Sequence, residues 1–197
     1  MIEYYEKTLD VIKDSLESIP TEKYEQLVKE CVDVLKNGGK IIASGLGKNV
    51  PICEKFVGTL NSLGIDARFL HTNTAVHGDL GMVGSKDLLI LLSKGGNTHE
   101  TVTLAEHLKK RGTDTWLMTF TEKCKSAEVV EKQLIMHLET EGDEWNIVPN
   151  NSTTVYLIIL QGIAIEIAKR MGVTLDDFKI NHPGGGIGAR LSGKDLW

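Results

Sequence analysis

Short apolar segments alternate with amphipathic helical segments along most of this chain, and this alternation constrains the fold more than any other feature. Residues 87–93 (DLLILLS) have the continuous apolar character of a strand that is buried on both faces. Shorter segments of the same kind cover residues 40–44, 67–70, 115–120 and 134–138. Strands that alternate with helices predict a parallel sheet with helices on both faces. We therefore expect an α/β fold, a three-layer αβα sandwich of the Rossmann-like kind.

The predicted helices lie between these strands. Two N-terminal helices are divided by Pro20, and the second ends at Asn37-Gly38-Gly39. Further helices are predicted over residues 49–63 and 98–110, and a long helix capped by 150–153 reaches about residue 171. The tail from residue 181 is rich in glycine. No linker interrupts the pattern, so we expect residues 1–197 to form one domain, with a helical arm over 1–38 and the core and tail over 39–197.

Charge and composition exclude several classes of function. The chain has 22 Lys and Arg against 27 Asp and Glu, a formal net charge of −5, so a general electrostatic grip on nucleic acid is not expected. The longest apolar run, 155–160, is far shorter than the ~20 residues that cross a bilayer. The polar, acidic N-terminus is unlike a secretory signal, and three widely spaced cysteines suit a reducing compartment. These features predict a cytoplasmic protein that binds neither nucleic acid nor membrane.

The first strand-to-helix turn, 44–49, resembles two nucleotide-binding motifs but matches neither. A dinucleotide fingerprint needs a third glycine where Val50 stands, and a P-loop needs a glycine where Ile42 stands. A nucleotide-dependent kinase or dehydrogenase is therefore disfavoured. Lys48 lies at a helix N-terminus, where a cation opposes the helix dipole. Either an anionic ligand resolves this conflict or the lysine is simply solvated.

The second strand-to-helix turn, 93–98 (SKGGNT), is suited to phosphate. Free backbone amides and the hydroxyls of Ser93 and Thr98 can cradle an anion on the helix dipole. The alternative is an ordinary N-cap, in which Asn97 or Thr98 accepts from the first turn, and both interpretations can hold together. Glu100 follows in that turn, and on its own it is better explained as a partner of the dipole than as a catalyst.

Histidines and carboxylates also occur in three loops. His71, His77 and Asp79 match no strong zinc signature, so we predict no metal site. The acidic residues at 139, 141, 143 and 144 are, taken alone, a solvated loop. His182 lies among four glycines, a segment that is costly to order, which favours its presentation to a ligand or a neighbouring subunit.

Together, these loops resemble the sugar isomerase (SIS) domain family and, within it, arabinose 5-phosphate isomerases. The match runs over residues 40–191 and is carried by four segments: 45–48 (GLGK), 75–82 (AVHGDLGM), 149–154 (PNNSTT) and 182–188 (HPGGGIG). The resemblance implies a five-stranded parallel sheet and a homotetramer with sites at subunit interfaces. It also implies a phosphosugar substrate, with cofactor-free interconversion of D-ribulose 5-phosphate and D-arabinose 5-phosphate.

The resemblance also implies roles for individual residues. The matching catalytic positions are Lys48, His77, Glu100, Glu141 and His182. We assign substrate phosphate binding to the two turns and the start of the long helix: Ser44, Gly47, Ser93, Gly95, Gly96, Asn97, Thr98, Ser152 and Thr153. Isomerisation through an enediol needs a carbon base, polarisation of the carbonyl and ring opening. Glu141 is the first choice for the base and Glu100 the second, Lys48 suits the enediolate oxygen, and the histidines suit ring opening or proton relay.

This sequence departs from the family pattern in the turns. The second turn of the family usually reads Ser-x-Ser-Gly-Glu-[Ser/Thr], and here Gly95 and Asn97 replace the second serine and the glutamate. The first usually continues Lys-Ser-Gly, and here it continues Lys48-Asn-Val50. These changes keep a second isomerase hypothesis open, with another sugar phosphate such as a hexulose 6-phosphate as substrate.

A non-catalytic sugar-phosphate sensor is the alternative from another class. Regulators with SIS modules carry an added helix-turn-helix domain, and the acidic N-terminal arm here is too short and has the wrong charge for one. Many relatives of the enzyme class carry paired regulatory CBS modules after the SIS domain. Because this sequence stops at Trp197, we expect a short form without them.

Overall fold

A five-stranded parallel sheet forms the centre of the molecule, for which the computed structural model describes residues 2–193. Its strands are β1 (Ile41–Gly45), β2 (Ala67–His71), β3 (Leu88–Leu92), β4 (Asp114–Thr119) and β5 (Lys132–Ile135). They lie side by side in the order β2-β1-β3-β4-β5, and every neighbouring pair is parallel. The predicted parallel sheet is confirmed.

Helices cover both faces of this sheet. They are α1 (Ile2–Glu17), α2 (Thr21–Lys36), α3 (Asn49–Ser62), α4 (Thr72–Ala75), α5 (His99–Lys110), α6 (Lys125–Val129), α7 (Asn151–Met171), α8 (Leu175–Ile180) and α9 (Gly185–Leu191), with a 3-10 turn at Asp79–Met82. Side chains from α1, α2, α3 and α7 build one apolar core, and those from α4, α5 and α6 build the other. The three-layer αβα sandwich is therefore confirmed.

The central strand β3 explains why its sequence is uniformly apolar. Leu88, Ile90 and Leu92 point into the first core, whereas Leu89 and Leu91 point into the second. Side chains alternate between the faces of a strand, so a strand covered on both faces has no solvated position. All five side chains are buried.

Helix α7 is the longest helix among the described residues. It has 21 residues with a mean hydropathy of 1.3, which is long and apolar enough to cross a membrane by length and composition alone. Of its most apolar stretch of 18 residues, 56% is buried inside the fold. Since α7 also contributes residues such as Tyr156 and Ile163 to the first core, its apolar character is that of a core helix.

Several elements differ from the sequence predictions. Strand β5 covers Lys132–Ile135 rather than 134–138: it starts earlier, where Lys132 pairs with Trp116 of β4 and is held by ion pairs to Glu30 and Asp114, and it ends earlier, at Ile135. Helices α4, α6 and α8 were not predicted. The glycine-rich tail contains α9 instead of being all loop, and its last four residues, 194–197, lie outside the described residues.

The strand order fixes where a ligand has room to bind. The chain leaves β1 for β2 on one side of the sheet, and β3 lies on the other side of β1. The topological switch point is therefore between β1 and β3, where Gly45 lies opposite Leu92. Ligands of doubly wound sheets bind outside the carboxyl ends of the strands at this point.

Candidate active site

A cavity of about 160 Å³ opens at the switch point. It lies between the turn that precedes α3, the turn that follows β3, the first turn of α5 and the start of α7. Its lining residues are Leu46, Lys48, Asn49, Leu92, Ser93, Lys94, Gly95, Thr98, Thr101, Pro149 and Ser152. Five of the predicted site residues are among them: Lys48, Ser93, Gly95, Thr98 and Ser152.

The turn after β3 has the form of an anion cradle. Gly96 has a left-handed φ of +62°, and its amide donates to Ser93 Oγ at 3.2 Å, which closes the turn. Thr98 lies at the N-cap position of α5 without a side-chain capping bond, and a Cβ built on Gly95 would meet nothing within 4 Å. The first amides of a helix lack intrahelical partners, so the start of α5 offers free donors beside the cavity that Thr98 lines.

The carboxylate of Glu141 is fully buried behind the cavity wall. Its Oε1 accepts from Ser152 Oγ at 2.6 Å and from the Lys94 ammonium at 2.7 Å. Its Oε2 accepts from the amides of Ser152 at 2.9 Å and Asn150 at 3.0 Å. Glu141 therefore caps α7 from the loop that leads into this helix. The prediction that residues 150–153 cap this helix themselves is wrong for Asn150, which makes no side-chain capping bond.

These contacts decide the protonation state of Glu141. Burial by itself raises the pKa of this carboxyl, but hydrogen bonds from Lys94, from the Ser152 hydroxyl and from the two amides outweigh it and hold the pKa below the ordinary value. Glu141 is thus an ionised group whose four donors occupy both oxygens in this structure.

Lys94 is a residue of the site to which the sequence analysis gave no role. Its carbonyl accepts from the Phe120 amide at 3.1 Å and from the hydroxyls of Thr119 and Thr121 at 2.9 and 3.1 Å. The backbone is thereby fixed to the end of β4, and the ammonium lies at the cavity wall with the side chain 40% exposed. The available signal was its position directly after the first residue of the phosphate-type turn.

Lys48, His77 and Glu100 also lie at the carboxyl edge of the sheet. Lys48 precedes α3 and is exposed, and Glu100 is half-buried in the first turn of α5. His77 is exposed between α4 and the 3-10 turn, and Thr74 of α4 donates to Asp79 at 2.6 Å across this segment. Within residues 2–193, no cluster of three His, Cys, Asp or Glu side chains is arranged to hold a metal ion.

Several residues assigned to phosphate binding have other partners. Ser44 Oγ is buried and shares a hydrogen bond of 2.9 Å with Thr72 Oγ1. Asn97 Oδ1 accepts from the Lys125 amide at 3.0 Å, and Thr153 Oγ1 donates to the Asn150 carbonyl at 2.8 Å. Gly47 and Gly96 shape the two turns with positive φ but do not line the cavity.

His182 lies at the opposite edge of the sheet. The neighbouring Asn181 donates to the carbonyl of Ser62, the last residue of α3, whereas Lys48 precedes the first residue of that helix. A helix of 14 residues is about 21 Å long at 1.5 Å per residue. His182 and Lys48 of one chain are therefore not part of one site.

Comparison with known proteins places this geometry in a family. The family model described as SIS domain matches residues 34–166, more than half of the chain. The chain belongs to the SIS domain family. The matched region contains the whole sheet, the phosphate-type turn and most of α7.

This SIS domain is similar to the following three proteins, among others, over most of its own length. It is 33% identical to arabinose 5-phosphate isomerase KdsD of Pseudomonas aeruginosa over 94% of its own length, and it spans 57% of the length of that protein. An Escherichia coli CFT073 protein solved in complex with arabinose 5-phosphate is 30% identical, with a TM-score of 0.83 over 91% of this chain and 94% of that chain. A candidate phosphosugar isomerase involved in capsule formation from Bacteroides fragilis is 31% identical, with a TM-score of 0.85 over 95% and 99%.

Proposed function

We propose that this SIS domain is an aldose–ketose isomerase of a phosphosugar, with D-arabinose 5-phosphate and D-ribulose 5-phosphate as its substrate pair. The observation that carries the proposal is the cavity at the switch point, where an anion-cradling turn, Lys48 and the Lys94–Glu141 pair converge. The solved relative that holds arabinose 5-phosphate supports this substrate class. The chain spans about half the length of KdsD, so the activity of that whole protein comes to this chain as a proposal.

The proposed reaction moves one proton between neighbouring carbons through an enediol, which needs no external oxidant or reductant. The phosphate anchors at Ser93, Thr98 and the amides of the turn, and its binding energy orients the reacting carbons. Ser152 closes the pocket beside them. Lys48 stabilises the enediolate oxygen, because an ammonium placed where negative charge develops lowers the barrier.

Glu141 is the proposed carbon base, with Glu100 as the second candidate. A base needs a lone pair within reach of the proton that it removes. Since both oxygens of Glu141 hold donors, the transfer requires that one donor leave. Lys94 and Ser152 both line the cavity, but Ser152 is buried whereas the Lys94 side chain is 40% exposed, so the Lys94 ammonium is the donor with room to move. His77 is proposed for ring opening or for proton relay between oxygens.

His182 is proposed to act in the cavity of a neighbouring subunit, within a homotetramer. Its distance from Lys48 in one chain supports this arrangement. Apolar side chains also remain exposed on α7, where Ile158 and Ile165 flank a shallow hollow beside Tyr24, and such a surface suits contact with a second copy. We further propose a cytoplasmic protein with one SIS domain over 1–197 that binds neither nucleic acid nor membrane.

An incubation in deuterium oxide tests the activity. Ribulose 5-phosphate, arabinose 5-phosphate and hexulose 6-phosphates are offered separately and followed by NMR. We expect deuterium at carbon one or two and aldose formed from ribulose 5-phosphate. Exchange with a hexulose phosphate alone would mean that the substrate is a hexulose phosphate. Binding without exchange of any phosphosugar would mean that the protein is a sensor and not an enzyme.

A mixing experiment tests the shared site. Lys48→Ala and His182→Ala are expected to be nearly inactive as separate proteins. If each site takes its lysine and its histidine from different chains, random reassembly of an equal mixture restores about one quarter of the sites. A mixture that stays inactive after proven subunit exchange would contradict the proposal.

A further inference from the structure

The backbone of Lys94 is fixed to a degree that a solvated lysine does not require. Three donors from the end of β4 converge on its carbonyl, and the side chain then runs along the cavity wall to the buried oxygen of Glu141. The ammonium has three protons, and within residues 2–193 its ion-pair partner is Glu141. A positioned cation therefore lies between the cavity and a buried carboxylate.

The other hydrogen-bond partners of Glu141 permit the Lys94 ammonium to leave the carboxylate and turn into the cavity. If the ammonium leaves, Oε1 keeps the Ser152 hydroxyl and Oε2 keeps the two amides of α7. The carboxylate thus stays hydrogen-bonded. A phosphate dianion in the turn presents the ammonium with a doubly charged partner at the same wall, close to the N-terminus of α5.

We propose that Lys94 is a binding and specificity-determining residue that contacts the phosphate of the substrate and exchanges Glu141 for it. This rests on the proposed function, because the phosphosugar supplies the anion. Gly95 has no hydroxyl with which to bind the phosphate. The proposal gives this role to the neighbouring ammonium of Lys94. The exchange also removes one of the two donors to Oε1 of Glu141, and it does so only when substrate is present.

Calorimetric titration with inorganic phosphate, at mildly alkaline pH where phosphate is mostly dianionic, tests the contact without turnover. The decisive comparison is Glu141→Gln against the double variant Lys94→Met/Glu141→Gln. Neither protein contains the buried carboxylate, so neither leaves an unpaired buried charge, and they differ only in Lys94. We expect the double variant to bind phosphate about 10-fold or more weakly, as loss of a charge-assisted hydrogen bond predicts.

Two further variants complete the test. In the Glu141→Gln background, Lys94→Arg keeps the positive charge. It should retain most of the phosphate affinity that Lys94→Met loses. Lys36→Met removes an exposed lysine at the end of α2 and should change the affinity less than about twofold. Equal phosphate affinity in Glu141→Gln and the double variant would overturn the proposal, since Lys94 would then act only as a support for Glu141.

Turnover separates this inference from the proposed function. Lys94→Met should raise the KM for the phosphosugar more than it lowers kcat. If no phosphosugar is turned over by the parent protein, the isomerase proposal fails while the phosphate titration still decides the role of Lys94. If turnover is found and the two Glu141→Gln proteins bind phosphate equally, only the role of Lys94 fails.

Discussion

Replacing Glu141 by glutamine tests whether this carboxylate holds the start of α7 in place. The substitution keeps the size of the side chain and removes its charge. It deletes the ion pair to Lys94 and converts charge-assisted bonds from Ser152 and Asn150 into neutral ones. A negative charge in a partly buried position at a helix N-terminus contributes up to about 2 kcal/mol, and hydrogen bonds to charged groups exceed neutral ones by about 1 kcal/mol.

We therefore expect Glu141→Gln to lower the free energy of unfolding by about 2–4 kcal/mol at neutral pH. The value is below that of a fully buried broken pair, because the exposed side chain of Lys94 regains water. For a chain of this size, the midpoint of thermal unfolding should fall by about 2–4 °C for each kcal/mol.

The pH dependence gives the sharper test. The pKa of Glu141 is lowered in the folded protein by the hydrogen bonds that outweigh its burial, so its stabilisation is present above the unfolded value of about 4.3. That stabilisation is lost as the pH falls below this value towards the folded pKa. The stability curves of the parent and Glu141→Gln should thus converge in acid.

Urea unfolding followed by circular dichroism, at one fixed protein concentration and a series of pH values, measures this difference. Glu139→Gln is the matched control, because Glu139 is exposed in the same loop and should show no comparable gap at any pH. Equal stability of Glu141→Gln and the parent at neutral pH would refute the capping role. A gap that persists unchanged at about pH 3 would refute the electrostatic explanation.

Three further substitutions test the geometry of the turns. Gly96→Ala should cost about 2–4 kcal/mol in urea unfolding, because its φ is +62° and the new Cβ would overlap the side chain of Cys124. Gly95→Ala meets open space, so it should change the unfolding free energy by less than about 1 kcal/mol while raising the KM for the phosphosugar. Ser44→Ala should cost about 1 kcal/mol by removing the bond to Thr72, with KM unchanged; a large rise in KM would instead show that Ser44 binds substrate.

The sheet was predictable because a strand buried on both faces has a continuous apolar run, which is visible in the sequence itself. Every residue of β3 is buried, which accounts for the unbroken apolar run 88–92, and the helix that follows starts at a recognisable turn. The start of β5 was missed for the converse reason. Lys132 occupies a strand position through its ion pairs to Glu30 and Asp114, and such pairing cannot be read from hydropathy.

Helix α8 shows a local signal that the sequence analysis passed over. Thr174 Oγ1 accepts from the Asp177 amide at 3.2 Å, and the Asp177 carboxylate accepts from the Thr174 amide at 2.8 Å, which forms a capping box. The Thr-x-x-Asp spacing was visible, but a helix of six residues is too short to show apolar periodicity. The capping pattern was therefore the usable indicator.

The candidate site likewise has a part that the sequence predicts and a part that it does not. The turn 93–98 was predicted from local spacing and from the rule that ligands bind at the carboxyl ends of strands. The pairing of Lys94 with Glu141 was not, because these residues come from the ends of different strands and meet only after the sheet forms. The cap of α7 comes from Glu141, which lies 9 residues before Asn150 and 11 before Ser152, too far along the chain for a capping motif at Asn150 to indicate it.

A glycine of the tail, finally, is required for close packing and not for conformational flexibility. A Cβ on Gly188 would come within 2.6 Å of the His182 carbonyl, so the first turn of α9 packs directly on the segment that carries the histidine. The ring of His182 stacks on Phe178 at 3.9 Å, and its Nδ1 lies 2.8 Å from the Phe178 carbonyl. A carbonyl accepts but does not donate, so this hydrogen bond uses a proton on Nδ1 and leaves Nε2 as the ring atom available to another partner. The tail thus holds the imidazole of His182 against Phe178 at the sheet edge remote from the cavity of its own chain, which is the placement that the proposed role in a neighbouring subunit requires.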